Sequence, residues 1–183
     1  GLGWQARITQ LLVRPAKASL PDLLKAEGLV LDLQMASDAS LAGATLAPAG
    51  VELGGARLRW SQLQWRAPRR AGEPADVRAE LALEPLQLAP LLARWQPDFG
   101  WSGTLVVGGR ASIRSLPRPE VAIVLERERG DLSVTDERGM QALGLTDLRL
   151  ALTARDGLWQ FTQALAGTNM GSLGGAVTVH ADP

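Results

Sequence analysis

Alternation with a period of two constrains this chain more than any other feature. Residues 144–167, GLTDLRLALTARDGLWQFTQALAG, set oily and polar side chains on alternate positions in two successive runs. Neighbouring side chains of a strand point to opposite faces. Leu148, Leu150, Leu152 and Ala154 therefore share one face, and Asp147, Arg149, Thr153 and Arg155 fall on the other. Asp156 and Gly157 supply the left-handed backbone that a tight hairpin needs, after which Trp159, Phe161 and Leu165 resume the oily face. The segment reads as a β-hairpin with nothing in it fit for catalysis.

The same pattern returns almost from end to end. Leu29, Leu31, Leu33 and Met35 lie opposite Asp32 and Gln34; Val77, Ala79, Leu81 and Leu83 lie opposite Arg78, Glu80 and Glu84. Leu105, Val107, Ala111 and Ile113 form another run, with Gly108 and Gly109 in its middle favouring a bulge or bend. Val121, Ile123 and Leu125 make a further run that turns at Gly130 into Leu132 and Val134, which reads as a hairpin with charge at its end. Between Arg57 and Trp65 the phase breaks, because Leu58 and Trp60 have one parity and Leu63 and Trp65 the other. An extra residue near Ser61 or Gln62, a β-bulge, would let both pairs face the same side. One-sided strands with bulges and glycines predict a mainly β, curved sheet with an apolar inside and a polar outside. The strand spacing suits a sandwich, a barrel or an open curved sheet, and a sheet that folds over on itself gives the consistently polar outer face one continuous inner surface.

One segment departs from the pattern. In EPLQLAPLLARWQPD, Leu88, Leu91, Leu92 and Trp95 recur at spacings of three and four, Pro85 stands near a helix start and Pro97 near its stop. This predicts a short amphipathic helix over 86–95, capping the sheet and separating a strand set over 1–84 from another over 101–180. A second helix is expected in LPDLLKAEG, closed by Gly28.

Composition then excludes several functions. Nineteen basic and nineteen acidic residues cancel, which leaves no electrostatic footprint for nucleic acid. Arg66, Arg69 and Arg70 stand among Pro68, Gly72 and Pro74 and read as a solvated loop. With no cysteine there is no disulfide, thiol catalysis or thiolate metal site. No apolar run approaches the roughly 18 residues of a membrane span, and the start lacks the charged and apolar regions of a signal peptide. The chain opens inside GLGWQARITQLLV and closes on GGAVTVHADP, both strand-like, as expected of a piece of a longer protein.

A search for reactive constellations yields none. The one histidine, His180, lies beside Asp182 near the chain end, without the second shell a triad or zinc site requires. Asp131, Asp136 and Glu137 surround a turn and read as solvated, while Glu126 and Glu128 alternate with Arg127 and Arg129 along a strand. The glycines of GTNMGSLGGAV precede a strand and not a helix, so a phosphate cradle is not formed. Six tryptophans, Trp4, Trp60, Trp65, Trp95, Trp101 and Trp159, fill a core by default. The alternative is that Trp60 or Trp65 lines a groove with Trp159 and Phe161.

The stretch APLLARWQPDFGWSGTLVVGGRASI, followed by ERGDLSVTDERGMQALGLTDLRLALTARDGLWQFTQALAGTNMGSLGGAV, resembles the TamB family, translocation and assembly module proteins of Gram-negative bacteria in the AsmA-like superfamily. The likeness covers residues 86–179; the part before fits in pattern only. It implies a fragment of a long periplasmic β body, an elongated, curved, folded-over sheet that makes a taco-like groove with an apolar interior, belonging to a protein anchored in the inner membrane. It also implies a TamA-like outer-membrane barrel as partner of the whole protein, and a part in outer-membrane protein assembly, autotransporter secretion and phospholipid transport between the membranes.

A groove of this kind needs many weak, equivalent positions and no enzyme chemistry, metal or cofactor. The candidate lining residues are Leu29, Leu31, Leu33, Leu81, Leu83, Leu132, Val134, Leu148, Leu150, Leu152, Trp159 and Phe161, and the expected cargo is lipid acyl chains or unfolded outer-membrane protein strands. At about 0.8 kcal/mol per buried methylene, an acyl chain of about sixteen carbons gains on the order of 10 kcal/mol without a specific contact. The competing readings are a purely architectural or protein-interaction β domain and a type II secretion N-like subunit.

Overall fold

The structure, a computed structural model, describes residues 2–14, 23–53, 55–70 and 72–180. It is mainly β. The strands are β1 (Leu2–Val13), β2 (Leu24–Met35), β3 (Leu41–Leu46), β4 (Ala49–Leu53), β5 (Ala56–Arg66), β6 (Asp76–Gln87), β7 (Ser102–Gly103), β8 (Val106–Arg114), β9 (Glu120–Arg129), β10 (Leu132–Asp136), β11 (Gly139–Ala142), β12 (Leu145–Arg155), β13 (Leu158–Gly167) and β14 (Gly171–His180). Among the described residues there is one α-helix, α1 (Ala89–Trp95), followed by a 3-10 turn at Pro97–Phe99. The large antiparallel sheet runs β1-β2-β3-β5-β6-β8-β9-β12-β13-β14, with β4 pairing β2 and β5, and a small sheet runs β11-β10-β7. The chain forms two compact units, Gly1–Glu84 with Arg110–Ala122, and Pro85–Gly109 with Ile123–Pro183.

In the first unit the strand register lines up apolar side chains in rows. Leu33, Ala44, Trp65 and Val77 are successive cross-strand partners, and so are Leu31, Leu46, Leu63 and Ala79. A further row runs Leu11, Ala26, Val51, Leu58, Leu83. The expected bulge is present: Trp60 faces Leu81 while Gln62 faces Glu80, so Ser61 is the extra residue. Ala26, Leu29 and Trp60 make the buried cluster of this unit, with Leu46, Leu63 and Leu81 packed against it. The Trp60 indole N–H donates to the Ala47 carbonyl at 2.8 Å, which satisfies its one polar atom.

Over residues 23–28, the described part of LPDLLKAEG, the expected second helix is not formed. Residues 20–22 lie outside the described residues, and from Leu24 onward the segment is β2, held to β1 over its whole length. Gly28 does not close a helix. It sits mid-strand with φ at +64°, and at this point the buried positions change from Leu24 and Ala26 to Leu29, Leu31, Leu33 and Met35. The apolar residues of β1 change phase at the same row, from Leu2, Trp4 and Ile8 to Leu11 and Val13, so pairing is kept with Ile8 opposite Leu29 and Leu11 opposite Ala26. The left-handed backbone needed for this twist is cheap only for glycine.

In the second unit the hairpin is formed as expected. Arg155 and Leu158 close a two-residue loop in which Asp156 and Gly157 both have positive φ, 53° and 76°, the signature of a type I′ turn. The helix differs from expectation at its start, because β6 continues to Gln87 and Pro90, not Pro85, occupies the first helical turn. Leu88 and Leu92 pack against a buried cluster of Ala89, Leu105, Val107, Leu132 and Leu145, but Trp95 turns outward and is 70% exposed.

The expected hairpin at Gly130 is also corrected. β10 pairs with β7 and β11, not with β9. The carbonyl of Thr104 occupies the space a side chain on Gly130 would fill, so the chain passes close to the β7 region and enters the small sheet. Gly108 likewise leaves room for the side chain of Glu128.

Candidate functional site

The apolar face of β12, β13 and β14 is the most open of the patterned surfaces in the second unit. Its rows are Leu148, Leu165, Leu173; Leu150, Gln163, Gly175; Leu152, Phe161, Val177; and Ala154, Trp159, Val179. Burial falls along each row. Leu148, Leu150 and Leu152 are half-buried, Trp159 and Phe161 are exposed at 40% and 38%, and Leu173, Val177 and Val179 reach 55%, 59% and 56%. Gln163 is the one polar interruption, its amide nitrogen 3.4 Å from where a β-carbon on Gly175 would be.

Of the candidate lining residues, Leu148, Leu150, Leu152, Trp159 and Phe161 are thus gathered on one face. Leu31, Leu33, Leu81 and Leu83 are half-buried in the first unit, where Leu29 is buried in the packed cluster beside Trp60. Leu132 is buried in the core of the second unit, and Val134 lies on the small sheet, opposite Gln141. These two do not belong to the large sheet, because Gly130 and Asp131 divert the chain before them. Trp60 and Trp65 sit in the first unit, Trp159 and Phe161 in the second. Sequence reasoning missed Leu173, Val177 and Val179; their common parity in GSLGGAVTVH was the available signal.

The opposite face carries ion pairs in the first unit, and in the second it is a mixture of charged, threonine, glutamine and alanine positions. In the first unit Arg57 reaches Glu52 at 3.7 Å and Glu84 at 3.6 Å, and Arg59 reaches Glu84 at 3.5 Å. Together with Lys25 and Glu27 they rim an open hollow of about 350 Å³. Such exposed pairs keep a face in water and add little stability. In the second unit Arg149 pairs with Glu126 at 3.4 Å.

Asp131 is not a solvated carboxylate. Its oxygens accept the backbone N–H groups of Leu132 at 2.8 Å, Gly144 at 2.9 Å and Leu145 at 2.8 Å. Desolvation would raise its pKa, but those amides of Leu145, Leu132 and Gly144, with the Arg127 guanidinium, outweigh it and hold the carboxyl below its ordinary value of 3.8. This group fastens a corner of the fold. His180 is exposed on β14, opposite Leu158. Among the described residues no group of three or more histidines and carboxylates could hold a metal ion, and no helix is long and apolar enough to cross a membrane.

The arrangement offers a row-by-row apolar surface with a mixed backing. It can gain free energy by covering any chain-like apolar molecule laid across it. No family profile, curated protein or solved structure matches this chain.

Proposed function

We propose that this chain is a non-enzymatic, periplasmic segment of an envelope-spanning β groove, whose apolar face receives phospholipid acyl chains or unfolded strands of outer-membrane proteins. The observation that carries the reading is the outward rise in exposure from Leu152 through Phe161 at 38% to Val177 at 59% along one row. A face built only to be packed would be covered there. Leucine, valine and aromatic positions repeat along the strands, so a bound chain meets equivalent contacts at each step and can slide between them. The resemblance of residues 86–179 to the TamB family supports the same reading, and with it an inner-membrane anchor and a TamA-like barrel as features of the whole protein.

The test is site-specific photocrosslinking in cells of a Gram-negative bacterium. A crosslinker at Leu150 or Leu81 should capture lipid or an extended polypeptide, and one at Arg149, on the other face, should not. No capture from either apolar position would overturn the proposal. Capture of a single folded protein would favour the protein-interaction reading instead.

A further inference from the structure

Three connections of the first unit, from β2 to β3, from β5 to β6 and from β8 to β9, line one open hollow of about 810 Å³, a size within the roughly 300–1,000 Å³ of small-molecule sites. Hydrogen bonds hold its walls. Asp38 accepts the Ser40 N–H at 3.0 Å and the Ser40 hydroxyl at 2.6 Å, and the Ala67 N–H donates to the Ala42 carbonyl at 2.9 Å, keeping the end of β5 beside β3. Ser115 fastens the β8–β9 turn to the start of β6, accepting the Val77 N–H at 2.7 Å and donating to the Ala75 carbonyl at 2.6 Å. Leu41, Leu116 and Pro117 supply an apolar wall.

The charges of this hollow do not satisfy one another. Three arginines line it against two acids. Asp76 is taken by Arg78, whose Nε and Nη2 each lie 3.3 Å from one of its oxygens. Arg66, the cross-strand partner of Asp76, and Arg69 were expected in a solvated loop, yet both line the hollow, and neither has an acceptor among the described residues. Glu73 is the one uncommitted acid there. The hollow at Lys25, Arg57 and Arg59 is different, because it sets three cations against Glu27, Glu52 and Glu84 and pairs every one of them at 3.2–3.7 Å. Mixed charge neutralises itself in that hollow and leaves two guanidiniums over in this one. A guanidinium presents a planar fork of donors that matches the oxygens of a phosphate or carboxylate. Two forks are more than the two oxygens of a carboxylate can take side by side, so a phosphate is the better match, and the wall beside it favours hydrocarbon.

We infer that this hollow binds the phosphate head of an amphiphile, with Arg66 and Arg69 on its oxygens and the start of its chain on Leu41, Leu116 and Pro117. The site lies wholly in the first unit and goes beyond the face of β12, β13 and β14, which crosslinking from Leu150 reads separately. Its test is equilibrium dialysis of the 183-residue chain against radiolabelled dodecyl phosphate below its micelle concentration, with inorganic phosphate and dodecyl maltoside as competitors. Binding should saturate at one site, and each competitor should displace the label at least about tenfold less well. Arg66→Gln and Arg69→Gln, at exposed positions that circular dichroism should show to leave the fold intact, should each weaken binding about tenfold. Arg70→Gln, next in sequence but outside the lining, should not. Glu73→Gln removes a repelling charge and should tighten binding. Leu41→Ser, at a position 40% exposed, should weaken dodecyl phosphate and leave inorganic phosphate unchanged. Absence of saturable binding, equal losses in Arg69→Gln and Arg70→Gln, or weaker binding in Glu73→Gln would overturn the inference. Displacement by inorganic phosphate as effective as by unlabelled dodecyl phosphate would overturn the amphiphile and make free phosphate the ligand.

Discussion

Asp131 accepts the backbone N–H of Leu145 at 2.8 Å, fourteen residues further along the chain. The same carboxylate holds Gly144 and Leu132, so it fixes where β10 begins and where β12 begins with one group. Asp131→Ala leaves these partly buried amides without their acceptor and should lower stability by about 1–3 kcal/mol, read as a lower urea midpoint at neutral pH. Because the folded pKa lies below the unfolded one, the contribution is complete above the ordinary value of 3.8 and is lost as pH falls through the folded value. The difference in midpoint between wild type and Asp131→Asn should accordingly shrink in acid. A difference that grows in acid would contradict the clamp.

Deletions in strands distinguish the bulge from regular pairing. Removing Ser61 restores a continuous alternation in β5, with Leu58, Trp60, Leu63 and Trp65 still on one face. Removing Ala151 from β12 instead sends Leu148 and Leu152 to opposite faces. The first variant should retain its near-ultraviolet circular dichroism and a cooperative melt, and the second should lose both.

Gly28 tests the change of phase in β2. Nothing lies within 4 Å of where its β-carbon would be, so Gly28→Ala meets no steric obstacle and pays only for the φ of +64°. The expected loss is about 1 kcal/mol, measured by chemical denaturation. A neutral or stabilising alanine would show that the left-handed turn is not kept in solution.

Polar substitution should separate working surface from core. Phe161→Ser, at a position 38% exposed, should leave the melting transition nearly in place while reducing acyl-chain capture from Leu150. Leu105→Asp, at a position with no exposure, should unfold the second unit, since an uncompensated buried carboxylate costs at least about 2–7 kcal/mol. If Phe161→Ser unfolds the protein before it affects capture, the face is packing and not a working surface.

What could be read from the sequence was what neighbours along the chain decide. The Asp156 and Gly157 turn needs two residues of left-handed backbone and announced itself by composition, and the parity jump between Trp60 and Leu63 required one extra residue wherever the chain paired. The phase change at Gly28 was hidden because it is shared with β1 and becomes visible only when Ile8 is set opposite Leu29. Asp131 looked solvated because two of the amides it holds lie thirteen and fourteen residues downstream. Pro85 and Pro90 give the same helix-start signal, and only the length of β6 chooses between them. The oily face of the hairpin was legible, but how much of it stays in contact with water is set by what packs above Trp159 and Val179, which alternation does not encode.

Strand β8 gives the two units different timetables during synthesis. The chain leaves the first unit after Glu84 and returns to it for Arg110–Ala122, where the Ser115 hydroxyl accepts the N–H of Val77 at 2.7 Å and donates to the carbonyl of Ala75 at 2.6 Å. A nascent chain halted at Glu84 therefore lacks the strand that covers the outer edge of β6, and completion of the first unit waits until the ribosome has passed Ala122.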